Sequence, residues 1–192
     1  DEGYTNDSSG WSVGSGDETC QSVYTSGLYR TAVQPDFICV YRGPARAQVN
    51  GRFEVDARRD DSFYQTAYGL LLGEDGNFTK YYVFAILPDT QSYALLKYID
   101  GQGWFGITWD NLTDTPWLNS DAIFSGSNQN HLVVERDWAS FRLIVNDQVL
   151  GVFYDSQPLE GGYYGVFNWS SQFETAIAEF DNYKVTAFDP PL

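Results

Sequence analysis

The stretch FRLIVNDQVLGVFY, residues 141–154, sets the strongest limit on what this chain can become. Phe141, Leu143 and Val145 alternate with Arg142 and Asn146, a period of two that suits an extended strand and not an amphipathic helix, whose apolar face repeats every 3.6 residues. Asn146 and Asp147 tolerate positive φ, so they predict a two-residue turn before residues 148–154 resume as a second strand. The same grammar recurs. Asp75-Gly76 separates AYGLLLG from KYYVFAIL, and Asp100-Gly101 separates SYALLKYI from WFGITW, each a turn dipeptide between runs rich in aromatic and β-branched residues. Further strands are expected at 28–33, 37–41, 48–58, 130–136, 163–169 and 175–187. Many short strands spaced by turns predict an all-β, antiparallel two-sheet β-sandwich of jelly-roll type.

Two segments break the rhythm. Residues 111–130 are polar, carry Pro116 and alternate only briefly around Ile123, which predicts a long surface connection with a short strand inside it. Residues 1–16 are rich in Gly, Ser, Asp and Asn, and are expected to be a flexible arm or leader that orders only against something else, ahead of a single domain over 17–192.

The chain has 192 residues, enough for one large sandwich with its own core. Its net charge of −15 repels phosphate backbones and anionic lipid, so nucleic acid is disfavoured as a partner. No apolar run approaches the roughly 20 residues that a membrane-spanning helix needs, so membrane insertion is not expected. The sequence opens at Asp1 with no Met and no hydrophobic leader, as a processed secreted chain or a trimmed one would. Cys20 and Cys39, the two cysteines, read first as an intrachain disulfide in an oxidising compartment; two buried thiols, or one buried and one reactive, are the alternatives. Two cysteines and one histidine, His131, are too few for a structural zinc site. Asn6, Asn77, Asn111 and Asn168 each begin an Asn-x-Ser/Thr sequon, open to glycosylation where the host has the machinery.

YGLLLGEDGNFTKYYVFAI, YALLKYIDGQGW, NHLVVERD, FRLIVNDQVLGVFYD, GYYGVF and AEFDNYKV follow one another in an order and spacing that resembles the concanavalin A-like, laminin G-like jelly-roll modules of bacterial extracellular and cell-surface proteins. The likeness is strongest over 48–187. It implies an extracellular, secreted or cell-surface setting. The same superfamily includes β-glucanases and laminarinases, whose signature is Glu-x-Asp-x-x-Glu or Glu-x-Asp-x-Glu. In GRFEVDARRD, Glu54 and Asp56 share one strand face, but Arg58 and Arg59 stand where the second Glu would be. Retaining hydrolysis needs two carboxyls about 5–5.5 Å apart, and Asp60 lies roughly 20 Å further along an extended strand. The resemblance is therefore to the scaffold, with Glu54, Asp56 and Arg58 expected to pair with neighbouring strands.

His131 sits at the start of an apolar strand, where a structural or surface imidazole is expected rather than a catalytic base. The resemblance also implies a possible structural Ca²⁺ near the final strand, with Asp181 the nominated carboxylate and a local turn or bulge at Asp181 and Asn182 the competing reading. No cofactor is required. Sugar recognition would use flat rings, and the candidates are Trp104, expected to be exposed opposite a core-facing Phe105, Ile107 and Trp109, then Trp117 on the long loop and Tyr64. Each is equally explicable as ordinary packing. Two functional classes follow: a non-catalytic carbohydrate-binding or adhesion module recognising a polysaccharide or surface glycan, and a self-assembling structural subunit of a surface layer, fibre or filament whose partners are other copies of itself. A divergent carbohydrate-active enzyme is third.

Overall fold

A computed structural model of the chain describes residues 10–11, 13–15, 18–44, 48–60, 66–171 and 174–188. Its strands are β1 (Gly14–Ser15), β2 (Cys20–Thr25), β3 (Leu28–Val33), β4 (Ile38–Arg42) and β5 (Gly51–Arg59). Then come β6 (Thr66–Glu74), β7 (Lys80–Leu87), β8 (Ser92–Ile99), β9 (Gly103–Gly106) and β10 (Leu118–Asn119). The last are β11 (Asn130–Asp137), β12 (Ser140–Val145), β13 (Gln148–Tyr154), β14 (Tyr163–Ser170) and β15 (Ala176–Ala187). One sheet runs β1-β2-β3-β15-β5-β11-β12-β13, and the other β10-β8-β7-β6-β14-β4 with β9 also paired to β8. Every pairing is antiparallel, which makes the predicted sandwich. No helix of the described residues is long and apolar enough to cross a membrane.

The alternation read from the sequence decides what lies between the sheets. Phe53, Val55 and Ala57 of β5 and Phe141, Leu143 and Val145 of β12 face Tyr68, Leu70 and Leu72 of β6 and Tyr82, Phe84 and Ile86 of β7 in one buried cluster. Each Val, Leu, Ile or Phe side chain among them contributes about 1.5–3 kcal/mol through burial. Asn146 and Asp147 have φ of 49° and 64°, so the β12–β13 hairpin turns as the sequence predicts. A disulfide joins Cys20 on β2 to Cys39 on β4, with Cα atoms 5.8 Å apart, and so ties one sheet to the other.

Two expectations are corrected, and one strand was not foreseen. The connection at 111–130 contains a short strand as expected, β10, which pairs with β8, but it is not wholly superficial, because Ala122 and Ile123 are buried in the core. β2 has no apolar alternation to announce it, and forms by pairing with β3. Part of the arm expected over 1–16 orders on the chain's own sandwich: Trp11 packs 4.9 Å from Tyr29 and 5.0 Å from Tyr183, and β1 pairs with β2. Trp11 and Val13 supply the apolar contact, both packed against the core.

The segment 155–162 crosses the end of the core and is held by buried charge. Lys97 donates to Asp155 Oδ2 at 2.7 Å and to the Gln157 carbonyl at 3.1 Å, and the Tyr82 hydroxyl donates to Asp155 at 2.7 Å. Arg136, fully buried, donates to the carbonyls of Trp138, Leu159 and Gly161 and lies over the Tyr82 and Phe141 rings.

Candidate functional site

The second sheet is apolar on both faces, and its outward face carries the site. Ala67, Leu71, Tyr81, Val83, Ala85 and Phe167 are buried there, with Leu96, Tyr98, Trp117 and Trp169 packed against them. Strand register explains the shape. Phe167 lies opposite Gly69, Gly69 opposite Ala85, and Ala85 opposite Ala94, so a row of small residues crosses the middle of the face. Gly69 is obligatory, since a Cβ there would overlap the Phe84 carbonyl oxygen. Larger side chains stand on either side and leave a trough of about 220 Å³. Trp117, Trp169 and Leu87 line it together with Trp104, Leu96 and Phe167.

Trp104 is 37% exposed and forms an aromatic group with Tyr81 and Tyr98, its ring centroid 5.8 Å and 5.1 Å from theirs. Tyr81 and Tyr98 stack at 5.0 Å. Burial, reinforced by Tyr98, raises the Tyr81 pKa, so its hydroxyl stays protonated at neutral pH. At the far end of this face Glu74 is fully buried and its carboxylate is fully engaged: Oε2 accepts from Arg42 at 2.6 Å, and Oε1 accepts the amides of Gly76 and Phe78 at 2.7 Å. Among the described residues the trough lining contains no carboxylate. Its chemistry is that of flat rings and indole N–H groups, which stack on a ring face and hydrogen-bond its edge.

Trp104 and Trp117, nominated separately from the sequence, are brought together here, whereas Tyr64 lies outside the described residues. Trp169 and Phe167 were missed; their alternation in GVFNWS was visible, but not which face of β14 would be outward. Trp109 is corrected, being 47% exposed rather than core, and Phe105 is also exposed. The β9 ladder stops at Gly106, where the amides of Ile107 and Thr108 both reach the Leu95 carbonyl. That irregularity breaks the parity. Ile107 packs on the core, Thr108 is buried with its hydroxyl on Pro116, and Trp109 is turned out.

Glu54 and Asp56 lie on the outward face of the other sheet, and each is already paired. Glu54 accepts from Arg52 and Lys184 at 3.0 Å, Asp56 meets His131 at 2.7 Å and Asn182 at 2.8 Å, and Arg58 donates to Glu179 at 2.8 Å. Arg59 points inward to Asp89. Burial pushes the Glu54 pKa up, but Lys184 and Arg52 outweigh it and hold the carboxyl below its ordinary range. A general acid needs the opposite shift.

Asp181 sits at an irregularity in the β15–β5 pairing, is exposed and accepts the Asn182 amide at 2.7 Å, with Asn182 at φ of 51°. Among the described residues no three His, Cys, Asp or Glu side chains gather into a metal-binding group. Asn77 and Asn111 are exposed, and Asn6 is outside the described residues. Asn168 is a correction: it is fully buried and its Nδ2 donates to Thr31 and to the Ala176 carbonyl, so the folded chain has no room for a glycan there.

No protein-family model and no curated protein matches the chain. Solved structures do. The carbohydrate-binding module CBM66 from Bacillus subtilis is 16% identical, with a TM-score of 0.73 over 93% of this chain and 96% of that one. The Bacillus licheniformis β-glucanase is 15% identical, with a TM-score of 0.60 over 97% and 96%. Sheep galectin-11, in complex with glycerol, is 12% identical, with a TM-score of 0.51 over 80% and 99%. Such distant likeness establishes the fold, and the fold is the concanavalin A-like jelly-roll sandwich.

Proposed function

We propose that this is a non-catalytic extracellular carbohydrate-binding module that takes a neutral glycan along the outward face of its second sheet. The carrying observation is the convergence of Trp104, Trp117 and Trp169 on one trough in whose lining no carboxylate stands among the described residues. Rings of this kind stack on the apolar faces of sugars, and hydrolysis would need two carboxyls within reach of one glycosidic bond. A binding module and a glucanase among the structural neighbours are both consistent with glycan chemistry, and the trough favours the former. The Cys20–Cys39 bridge supports an oxidising, extracellular setting. A charge of −15 suits neutral sugars and opposes anionic ones.

The test is retention on immobilised neutral polysaccharides. Wild type should be retained on at least one of them, and Trp104→Ala with Trp117→Ala should weaken it roughly tenfold or more, since an aromatic contact contributes about 0.5–1.5 kcal/mol beyond its area. No reducing sugar should be released. Absence of retention on every neutral glycan, or equal retention of the double variant, overturns the reading. The self-assembly reading has one observation in its favour, the outer strand β13 with Val149, Val152 and Tyr154 exposed. A multimer by light scattering, coupled with no glycan retention, would put it in first place.

A further inference from the structure

The hydrogen-bonding character of the trough is one-sided. Among the described residues five of its lining side chains are pure hydrocarbon, and the other three are the indoles of Trp104, Trp117 and Trp169. An indole N–H donates and accepts nothing, so no lining side chain can accept a hydrogen bond. The floor strands β14, β6 and β7 each pair on both sides, which commits their backbone carbonyls to the ladders. The three indole N–H groups make no hydrogen bond among the described residues. Trp104 is exposed, and neither Trp117 nor Trp169 has a buried, unpaired Nε1, so the last two donors reach solvent and not the interior. A ligand seated here meets hydrocarbon and donors, and no side chain to take a proton from it.

We propose that the trough selects acetylated glycans and seats the acetyl group of one neutral sugar residue. The proposal rests on the reading of the trough as a glycan site and names the class of glycan. An acetyl group combines an acceptor with a methyl: its carbonyl takes an indole N–H, and its methyl joins the hydrocarbon of the lining. A bare sugar hydroxyl pressed into the same place is a donor as well, and its proton would be left unpaired. A ligand of hydrocarbon alone would strand the indole donors that it covers. Acetylation adds no charge, so it suits a chain of net charge −15. The trough, at about 220 Å³, is smaller than the roughly 300–1,000 Å³ of sites for drug-sized ligands, which fits one substituted ring.

The probes are acetylated glucomannan against the same polymer after alkaline deacetylation, read by affinity electrophoresis, and chitotetraose against cellotetraose, read by calorimetry. At least one acetylated probe should bind tenfold or more tightly than its unacetylated counterpart, from one hydrogen bond and one buried methyl. A preference for the acetylated glucomannan assigns the ester, and one for chitotetraose the acetamide; either supports the proposal. Trp104→Phe, Trp117→Phe and Trp169→Phe each keep a flat ring and lose the N–H, and at least one of them should cut the preference to about threefold or less with an unchanged circular dichroism spectrum. If no acetylated probe is preferred, or if all three variants keep the full preference, the proposal falls. The trough reading outlives that result as long as some neutral polysaccharide is retained through Trp104 and Trp117, and fails when none is.

Discussion

Replacing Lys97 with Met removes the cation from a buried carboxylate and tests how the segment 155–162 is held. Lys97 and Asp155 are both buried, and their 2.7 Å contact is part of a set in which Tyr82 and the Gln157 amide also donate to Asp155. Burial alone would push the Asp155 pKa up; the Lys97, Gln157 and Tyr82 hydrogen bonds overcome it and hold the pKa below its ordinary value. Removing one partner of such a pair costs about 3–5 kcal/mol. The two donors that remain place Lys97→Met near the lower end, about 3 kcal/mol. In a chain of this size that lowers Tm by roughly 6–12 °C. Because the folded Asp155 pKa is depressed, its contribution is complete above the unfolded value and is lost as pH falls through the folded one. The stability gap between wild type and Lys97→Met should therefore narrow on acidification, since a protonated Asp155 no longer needs a cation. Urea unfolding at neutral and acid pH reads both quantities. A loss below 1 kcal/mol at neutral pH, or a gap that widens in acid, would refute the assignment of Lys97 as the ion that holds this segment down.

Reduction of Cys20–Cys39, or its replacement by two serines, should cost about 3 kcal/mol for a loop of this length, read by urea unfolding. Asp75 is held down to about 2, since burial pushes its pKa up but the Thr79 hydroxyl and the amides of Asn77 and Thr79 pull it further down. Its support of the β6–β7 turn should therefore be intact above the ordinary carboxylate range and fade as pH falls toward 2, an acid dependence that Asp75→Ala should lack in parallel unfolding curves. In a glycosylating host, glycopeptide mass spectrometry should find modification at Asn77 or Asn111 and none at Asn168. Glu54→Gln should leave polysaccharide retention within twofold of wild type, because its partners are Arg52 and Lys184 and not the trough.

The hairpins were legible because their strands alternate cleanly and their turns carry Asn, Asp or Gly at positions that need positive φ. The trough was half legible. Trp104 and Trp117 stand out as aromatics near turns, but β6 is buried along its whole length, so alternation there cannot say which face lies between the sheets and which lies outward. β5 behaves differently, with Phe53, Val55 and Ala57 inward and Asp56 and Arg58 outward, as its sequence predicts. Trp109 was misplaced because parity counting cannot see the irregularity at Ile107 and Thr108. Asn168 was readable in principle, since it shares a face with Val166, which is core. The docking of Trp11 on Tyr183 was not readable at all, because the two rings are far apart in the sequence and meet only in the folded sandwich.

The two outward faces divide the chemistry between them. One carries Glu54, Asp56, Glu135 and Glu179 in pairs with Arg30, Arg52, Arg58, Arg142, Lys184 and His131. The other carries the aromatic trough. Stacked sheets lie about 10 Å apart, and a side chain on each outer face adds several ångströms more. A sugar seated among the tryptophans is then roughly 20 Å from Glu54, whereas proton transfer needs a donor within hydrogen-bond reach of about 2.6–3.2 Å or one water away. Restoring a Glu at Arg58 or Arg59 would not bridge that gap, because Arg58 points to the charged face and Arg59 is buried between the sheets. The stacking surface of the trough and the paired carboxylates of β5 lie on opposite sides of the sandwich, so a Glu restored on β5 would still not face the trough.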